Sequence, residues 1–114
     1  MKTLSEIPLQ DNERRAIEAA ARLLRQAFPV EQVVLFGSRA RAGGDEESDI
    51  DLLVLTARKL HWREEDALTK ALFDVELAYD VVISTLIVPS AEWTAGVYQV
   101  LPIHEEVTRD GVAA

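Results

Sequence analysis

Apolar residues recur at helical spacing along the stretch between Asp11 and Pro29. The positions that share one face are Ile17, Ala20, Ala21, Leu24 and Phe28. Charged residues occupy the other faces, so the pattern predicts an amphipathic helix whose apolar side is buried. Pro29 ends this helix, because a proline disfavours helical backbone in the residue before it. The β-branched apolar run 33–36 follows and predicts a buried strand.

The pattern continues as an alternation of strands and helices. Ile50–Thr56 predicts a second strand, and residues 62–78 carry apolar side chains at helical spacing. Residues 79–86 hold Asp80 followed by a β-branched apolar run, which predicts a third strand. Helices that alternate with strands in this way indicate an α/β (α+β) domain, with helices packed on a small sheet.

Proline and glycine mark the last two predicted elements. A short helix follows Pro89 and holds Trp93 and Val97. Pro102 suits the first position of a final helix, because its missing N–H group has no intrahelical partner there. Gly111 is placed to terminate that helix.

Composition narrows the classes of protein to which the chain belongs. A length of 114 residues with 48% hydrophobic content predicts one globular domain, residues 1–114. The absence of cysteine excludes disulfides and thiolate metal sites, and it favours a cytoplasmic location. We expect neither a secretory signal in residues 1–10 nor a membrane span, which needs about 20 apolar residues. The net charge of −8 argues against strong nucleic-acid binding and suits a basic protein partner.

A glycine-serine pair follows the first predicted strand. Gly37 permits a turn with positive φ that brings backbone close to a ligand. Residues 38–42 predict a short helical turn whose N–H groups can bind an anion. The hydroxyl of Ser38 and the guanidinium of Arg41 suit the phosphates of a nucleoside triphosphate, and Arg39 is a secondary candidate. Taken alone, the pair is more typical of an ordinary turn with a serine cap.

Two aspartates, Asp49 and Asp51, stand at the start of the second predicted strand, after a polar segment, 43–47, that predicts a solvated loop. Side chains alternate along a strand, so both carboxylates are expected on one face. Their mutual repulsion raises a carboxyl pKa, and a hard cation such as Mg²⁺ relieves it. In the alternative interpretation one aspartate caps the loop and the other is solvated.

Asp80 is the third candidate carboxylate. It joins the other two at one end of the sheet if the third predicted strand lies beside the second. Its alternative is a strand-edge position that faces solvent. Asp74 and Glu76 are rivals, but both fall within the predicted helix. The turn, the carboxylate pair and a third acid in this order favour a site for nucleotide chemistry.

The pair Gly37-Ser38, followed after ten intervening residues by Asp49-x-Asp51, resembles the signature of one enzyme superfamily. This is the nucleotidyltransferase superfamily that includes DNA polymerase beta and the aminoglycoside nucleotidyltransferases. The segments Phe-Gly-Ser-Arg-Ala-Arg (36–41) and Ser-Asp-Ile-Asp-Leu (48–52) are most similar to the minimal nucleotidyltransferases (MNT) of prokaryotes. The resemblance extends over residues 13–111. It departs at Ala42, where the family often has glycine.

The resemblance implies a three-layer nucleotidyltransferase fold with a mixed sheet. It also implies that Ser38 and Arg41 hold the triphosphate, and that Asp49 and Asp51 bind two Mg²⁺ ions. Asp80 then matches the third acid, which helps an acceptor hydroxyl attack the α-phosphate. ATP is the expected donor, and pyrophosphate leaves.

MNT proteins commonly pair with a helical HEPN protein in toxin–antitoxin systems, and the resemblance implies such a partner here. In some systems the MNT antitoxin adenylylates a tyrosine of the toxin, a ribonuclease. One alternative is an antitoxin that neutralises its partner by binding alone. Another is transfer to a small molecule such as an aminoglycoside, for which so short a chain offers no recognisable acceptor site. The sequence leaves a homo-oligomer open.

Overall fold

The computed structural model describes residues 1–41 and 49–114. The strands in these ranges are β1 (Lys2–Thr3), β2 (Val30–Phe36), β3 (Ile50–Thr56), β4 (Ile83–Pro89) and β5 (Val112–Ala113). The helices are α1 (Asp11–Ala27), α2 (Trp62–Tyr79), α3 (Ser90–Ala95) and α4 (Pro102–Asp110), with 3₁₀ turns at Leu4–Glu6 and Val97–Val100. The predicted loop 43–47 and the departure at Ala42 lie outside the described residues.

The strands form one mixed sheet in the order β1-β5-β2-β3-β4. Strands β2 and β3 are antiparallel, whereas β3 and β4 are parallel and are joined through α2. The antiparallel register pairs Phe36 with Asp51, and the parallel register pairs Asp51 with Ser84. The end of β2 and the start of β3 therefore meet at one end of the sheet.

Helices cover both faces of the sheet, because β2 and β3 are apolar on both sides. The first face packs against α1 and α2 through a cluster that includes Ile17, Leu24, Val33, Leu35, Leu52, Val54 and Leu68. The second face packs against α3 and α4 through Val34, Leu53, Leu55, Val88, Trp93 and Val107. This arrangement confirms the predicted α/β class with a small mixed sheet flanked by helices.

The prediction of a strand over 79–86 is wrong at its start. Helix α2 continues through Tyr79, and Asp80 ends it in the left-handed conformation, with φ of 55°. The N–H groups of Asp80 and Val81 both donate to the carbonyl of Glu76, which closes the helix before the chain extends. Strand β4 begins only at Ile83.

Smaller differences concern the C-terminal third. Val97 lies in a 3₁₀ turn rather than in the short helix with Trp93. Pro102 opens the last helix and Gly111 caps it, as predicted. In the part of the chain that the structure describes, no helix is long and apolar enough to cross a membrane.

Candidate functional site

The predicted phosphate turn lies directly against the predicted carboxylates. Gly37 follows β2 with φ of +73°, a conformation that L side chains rarely adopt. A Cβ atom at this position would lie 2.3 Å from Oδ2 of Asp51. Glycine is therefore required for two reasons, the backbone conformation and the space that the Asp51 carboxylate occupies.

Asp51 is half-buried on the sheet face that α3 and α4 cover. Alternation along β3 places it on the same face as Leu53 and Leu55, which pack in the second core cluster. Burial raises the pKa of the Asp51 carboxyl, and the nearby charges of Asp49 and Glu106 raise it further. Asp49 itself is exposed just before the strand. The structure thus places Asp49 and Asp51 at the same end of β3, where the charge of Asp49 acts on the Asp51 carboxyl.

The turn after Gly37 is shorter than the predicted helical turn. Residues 38–40 form a single turn in which the N–H of Ala40 donates to the carbonyl of Gly37 over 3.2 Å. Arg41 follows it, with about half of its side chain exposed. Its Nη1 lies 3.0 Å from Oε1 of Glu106 and 3.9 Å from Oδ2 of Asp110, both on α4. The guanidinium of Arg41 therefore connects the phosphate turn to α4.

Arg39 turns away from solvent. Its Nε lies 3.0 Å from Oε2 of Glu13 in α1, and the two side chains are only 10% and 6% exposed. Glu13 also accepts a hydrogen bond from the N–H of Gln10 at the start of α1. This buried ion pair anchors the turn to α1, so the structure gives Arg39 a supporting contact. Its predicted role as a phosphate ligand stays a prediction.

Asp80 lies at the end of α2, where its left-handed backbone caps the helix. Strand β4 does lie beside β3, as the prediction for Asp80 requires, but the β4 residue paired with Asp51 is Ser84. Within residues 1–41 and 49–114, no group of three His, Cys, Asp or Glu side chains could hold a metal ion. The role of Asp80 as the third acid stays a prediction.

The sequence interpretation missed Glu106. Glu106 and Asp110 are one helical turn apart on α4 and beside the buried Val107, so their shared direction follows from helical spacing. The sequence does not indicate which part of the chain they face. Glu106 is 65 positions from Arg41, and only the tertiary packing of α4 against β2 brings them together.

The carboxylate pair has the chemistry that magnesium requires. Mg²⁺ is commonly held by one or two carboxylates, with water and substrate phosphates as the remaining ligands. Asp49 and Asp51 supply two carboxylates at one place, and the raised pKa of Asp51, caused by burial and by the neighbouring acids, reflects negative charge that a cation would offset. The two residues therefore fit a metal completed by a nucleotide.

The predicted site residues lie within the part of the chain that matches a known protein family. A family model described as "Polymerase beta, Nucleotidyltransferase" matches residues 18–94, which is more than half of the chain. The predicted protein adenylyltransferase MJ0141 of Methanocaldococcus jannaschii is 40% identical over 58 residues, which are 51% of this chain and 59% of that protein. The match thus spans less than two thirds of this relative.

Solved structures share the fold. One described as a minimal nucleotidyltransferase has a TM-score of 0.61 and 27% identity, and the match covers 90% of this chain and 95% of that chain. A complex of a tri-AMPylated Shewanella oneidensis HEPN toxin with its MNT antitoxin gives a TM-score of 0.57 and 22% identity, with 89% and 70% covered. At 22% identity the likeness to the complex establishes the fold alone.

Proposed function

Because the chain belongs to the polymerase beta nucleotidyltransferase family, we propose that it transfers AMP from ATP to a protein hydroxyl. The acceptor in this proposal is a tyrosine of a HEPN-domain toxin, and the chain acts as the antitoxin. The adenylyltransferase relative and the fold shared with an MNT antitoxin support the proposal.

One observation carries the proposal, namely the contact between Gly37 and the carboxylate of Asp51. The register of β2 and β3 pairs Phe36 with Asp51. The proposed phosphate turn, which begins at the next residue, Gly37, therefore starts beside the second aspartate of the pair. An ordinary strand-to-helix turn has no need of two aspartates at this point. Both halves of the motif therefore face a common ligand, which a nucleoside triphosphate with magnesium would satisfy.

Each residue has a separate task in the proposed reaction. Ser38 and Arg41 bind the β- and γ-phosphates, and Asp49 and Asp51 hold the metal. Bound magnesium supplies positive charge that stabilises the entering and leaving oxygens of the displacement. The acceptor oxygen bonds to the α-phosphorus. At the same time the bond from the α-phosphorus to the oxygen that bridges the α- and β-phosphates breaks, and pyrophosphate departs. The acceptor proton goes to a base, for which Asp80 is the candidate that the resemblance supplies.

The proposed reaction is tested by transfer of label from α-³²P-ATP to a purified HEPN-domain protein of the same organism. With Mg²⁺ present, we expect label on the partner and, by mass spectrometry, AMP on a tyrosine. The variant Asp49→Asn/Asp51→Asn should lose at least about 100-fold in rate, because it removes the charges that hold the metal. An Asp80→Asn variant measured in parallel tests the third acid.

The outcomes separate the alternatives. Label that is equal in the double variant would remove Asp49 and Asp51 from the chemistry. Label on small hydroxyl acceptors but not on the partner would favour a small-molecule transferase. If neither the partner nor the small acceptors are labelled, although wild-type and variant chains both bind the partner, the proposed transfer is contradicted.

A binding antitoxin is the second candidate, and exposed apolar side chains favour it. Val97 and Val100 in the 3₁₀ turn before α4 are 66% and 81% exposed, and Leu101 adjoins them. Such a group suits contact with another protein. If the Asp49→Asn/Asp51→Asn variant neutralises toxicity as well as wild type at equal dose, binding suffices and transfer is not required for neutralisation.

A further inference from the structure

Two acidic residues of α4, Glu106 and Asp110, lie close to the guanidinium of Arg41. In the proposed function this guanidinium binds phosphate. Nη1 of Arg41 donates to Oε1 of Glu106 at 3.0 Å, and Oδ2 of Asp110 lies 3.9 Å from the same nitrogen. Asp110 also pairs with Arg109 at 3.1 Å, so its charge is shared. Glu106 is thus the closer of the two acids to Arg41.

The pair between Arg41 and Glu106 is weak enough for a nucleotide to break. The two side chains are 49% and 31% exposed, and ion pairs in contact with solvent contribute little to stability. A polyphosphate offers several charged oxygens to the planar guanidinium and can bind it through two parallel hydrogen bonds. The phosphates and Glu106 therefore compete for one cation.

Glu106 also places a negative charge where the phosphates are expected to bind. Its carboxylate lies 3.0 Å from the guanidinium of Arg41, so an incoming triphosphate meets a like charge there. This repulsion and the competition for Arg41 both lower nucleotide affinity, and neither requires contact between Glu106 and the reacting atoms.

We infer that Glu106 is a positioning residue that sets nucleotide affinity by holding Arg41 on α4 until phosphates displace it. The inference rests on the proposed function, since it takes ATP as the ligand of Arg41. It predicts that removal of the Glu106 charge tightens nucleotide binding. It also predicts that kcat changes little. Arg41 is released from α4 before the chemical step both in wild type and in a variant that lacks the Glu106 charge.

The test is the Kd of ATP with Mg²⁺, measured by titration calorimetry at fixed ionic strength. Glu106→Gln should bind about two- to fivefold more tightly than wild type, the range expected for loss of an exposed ion pair. Glu106→Asp keeps the charge and should stay closer to wild type. Glu105→Gln is the matched control, because it removes the same charge from the neighbouring exposed position of α4.

A double-mutant cycle tests whether Glu106 acts through Arg41. In an Arg41→Gln background, the effect of Glu106→Gln should shrink to that of Glu105→Gln. In transfer assays the gain should appear in KM and not in kcat. Equal Kd values for wild type and Glu106→Gln, or the same effect in both backgrounds, would overturn the inference while leaving nucleotide binding intact. Absence of ATP binding by wild type would overturn the proposed function as well.

Discussion

The predicted phosphate turn has glycine at position 37 partly because Asp51, 14 positions later in the chain, occupies the space that a side chain would need. Gly37 has φ of +73°, and its Cα faces the carboxylate of Asp51 so closely that any side chain would displace it. The glycine and the second aspartate of the motif are therefore one structural unit. Its spacing in the sequence reflects a contact across β2 and β3.

Gly37→Ala should damage both stability and activity. Left-handed backbone at alanine costs about 1–2 kcal/mol, and the new Cβ pushes the Asp51 carboxylate from its place. We expect the free energy of unfolding to fall by about that amount and transfer to fall by about 100-fold, because small displacements at a reacting centre are costly. Urea denaturation and the labelled-ATP assay measure the two effects.

Gly96→Ala is a matched control for Gly37→Ala. A Cβ at Gly96 would lie 2.6 Å from the carbonyl oxygen of Glu92, so this variant is strained in a part of the chain that the motif does not include. It should lose stability and keep transfer. Gly37→Ala with wild-type transfer would show that the contact with Asp51 does not matter for activity.

At the scale of elements, the start of α2 is fixed by a small polar network. The two terminal nitrogens of the Arg58 guanidinium, Nη1 and Nη2, each donate to one carboxylate oxygen of Glu64 at 2.8 Å. Glu64 also accepts from the N–H of His61, whose ring accepts from the N–H of Arg63. These bonds satisfy N–H groups that the first turn of a helix leaves without partners.

Glu64→Gln should weaken this helix start in a pH-dependent way. The hydrogen bond from Arg58 and the bond from His61 lower the pKa of Glu64 from 4.5 to about 2. A lowered folded-state pKa means that the contribution is complete above pH 4.5 and is lost as the pH falls towards 2. The variant should melt only slightly lower at pH 7, because solvent screens this exposed pair, and the difference should vanish as the pH falls below 4.5. Glu65→Gln, in the same turn, should change little at either pH.

Sequence pattern located most elements but not the boundary between α2 and β4. Apolar periodicity identified α1 and most of α2, and short apolar runs identified β2 and β3. Pro102 and Gly111 marked the two ends of α4. Residues 81–83 are β-branched and favour a strand, yet the N–H groups of Asp80 and Val81 both donate to the carbonyl of Glu76 and close the helix there, so strand β4 begins only at Ile83. The two-residue strands β1 and β5 are too short to give any periodic signal.

At the scale of the molecule, the candidate site draws on four segments, namely the turn after β2, the start of β3, and helices α1 and α4. The turn after β2 and the start of β3 are close in the chain, so the motif from Gly37 to Asp51 could be recognised from sequence. Arg39 and Glu13, or Arg41 and Glu106, meet only through tertiary packing, and no local pattern indicates their pairing. Sequence therefore indicated the candidate ligands but not the residues that contact them from α1 and α4.

The acidic character of the whole chain bears on the proposed metal dependence. A net charge of −8 opposes the approach of ATP, so the proposed function needs a cation at the site to make nucleotide binding favourable. The gain from Mg²⁺ should shrink as the pH falls, since protons compete with the metal for Asp51. Its pKa is raised by burial and by the charges of Asp49 and Glu106, so this competition begins at a higher pH than for an ordinary carboxyl.

The most direct test of the account is the melting temperature of the chain with ATP, in Mg²⁺ and in EDTA, for wild type and Asp49→Asn/Asp51→Asn. We predict that ATP with Mg²⁺ raises the Tm of wild type by several degrees at pH 8, because a ligand that binds only the folded state stabilises it. ATP with EDTA should have little effect, and the double variant should not respond. An equal rise in the variant, or in EDTA, would contradict the claim that these carboxylates and the turn at Gly37 bind a metal-nucleotide complex.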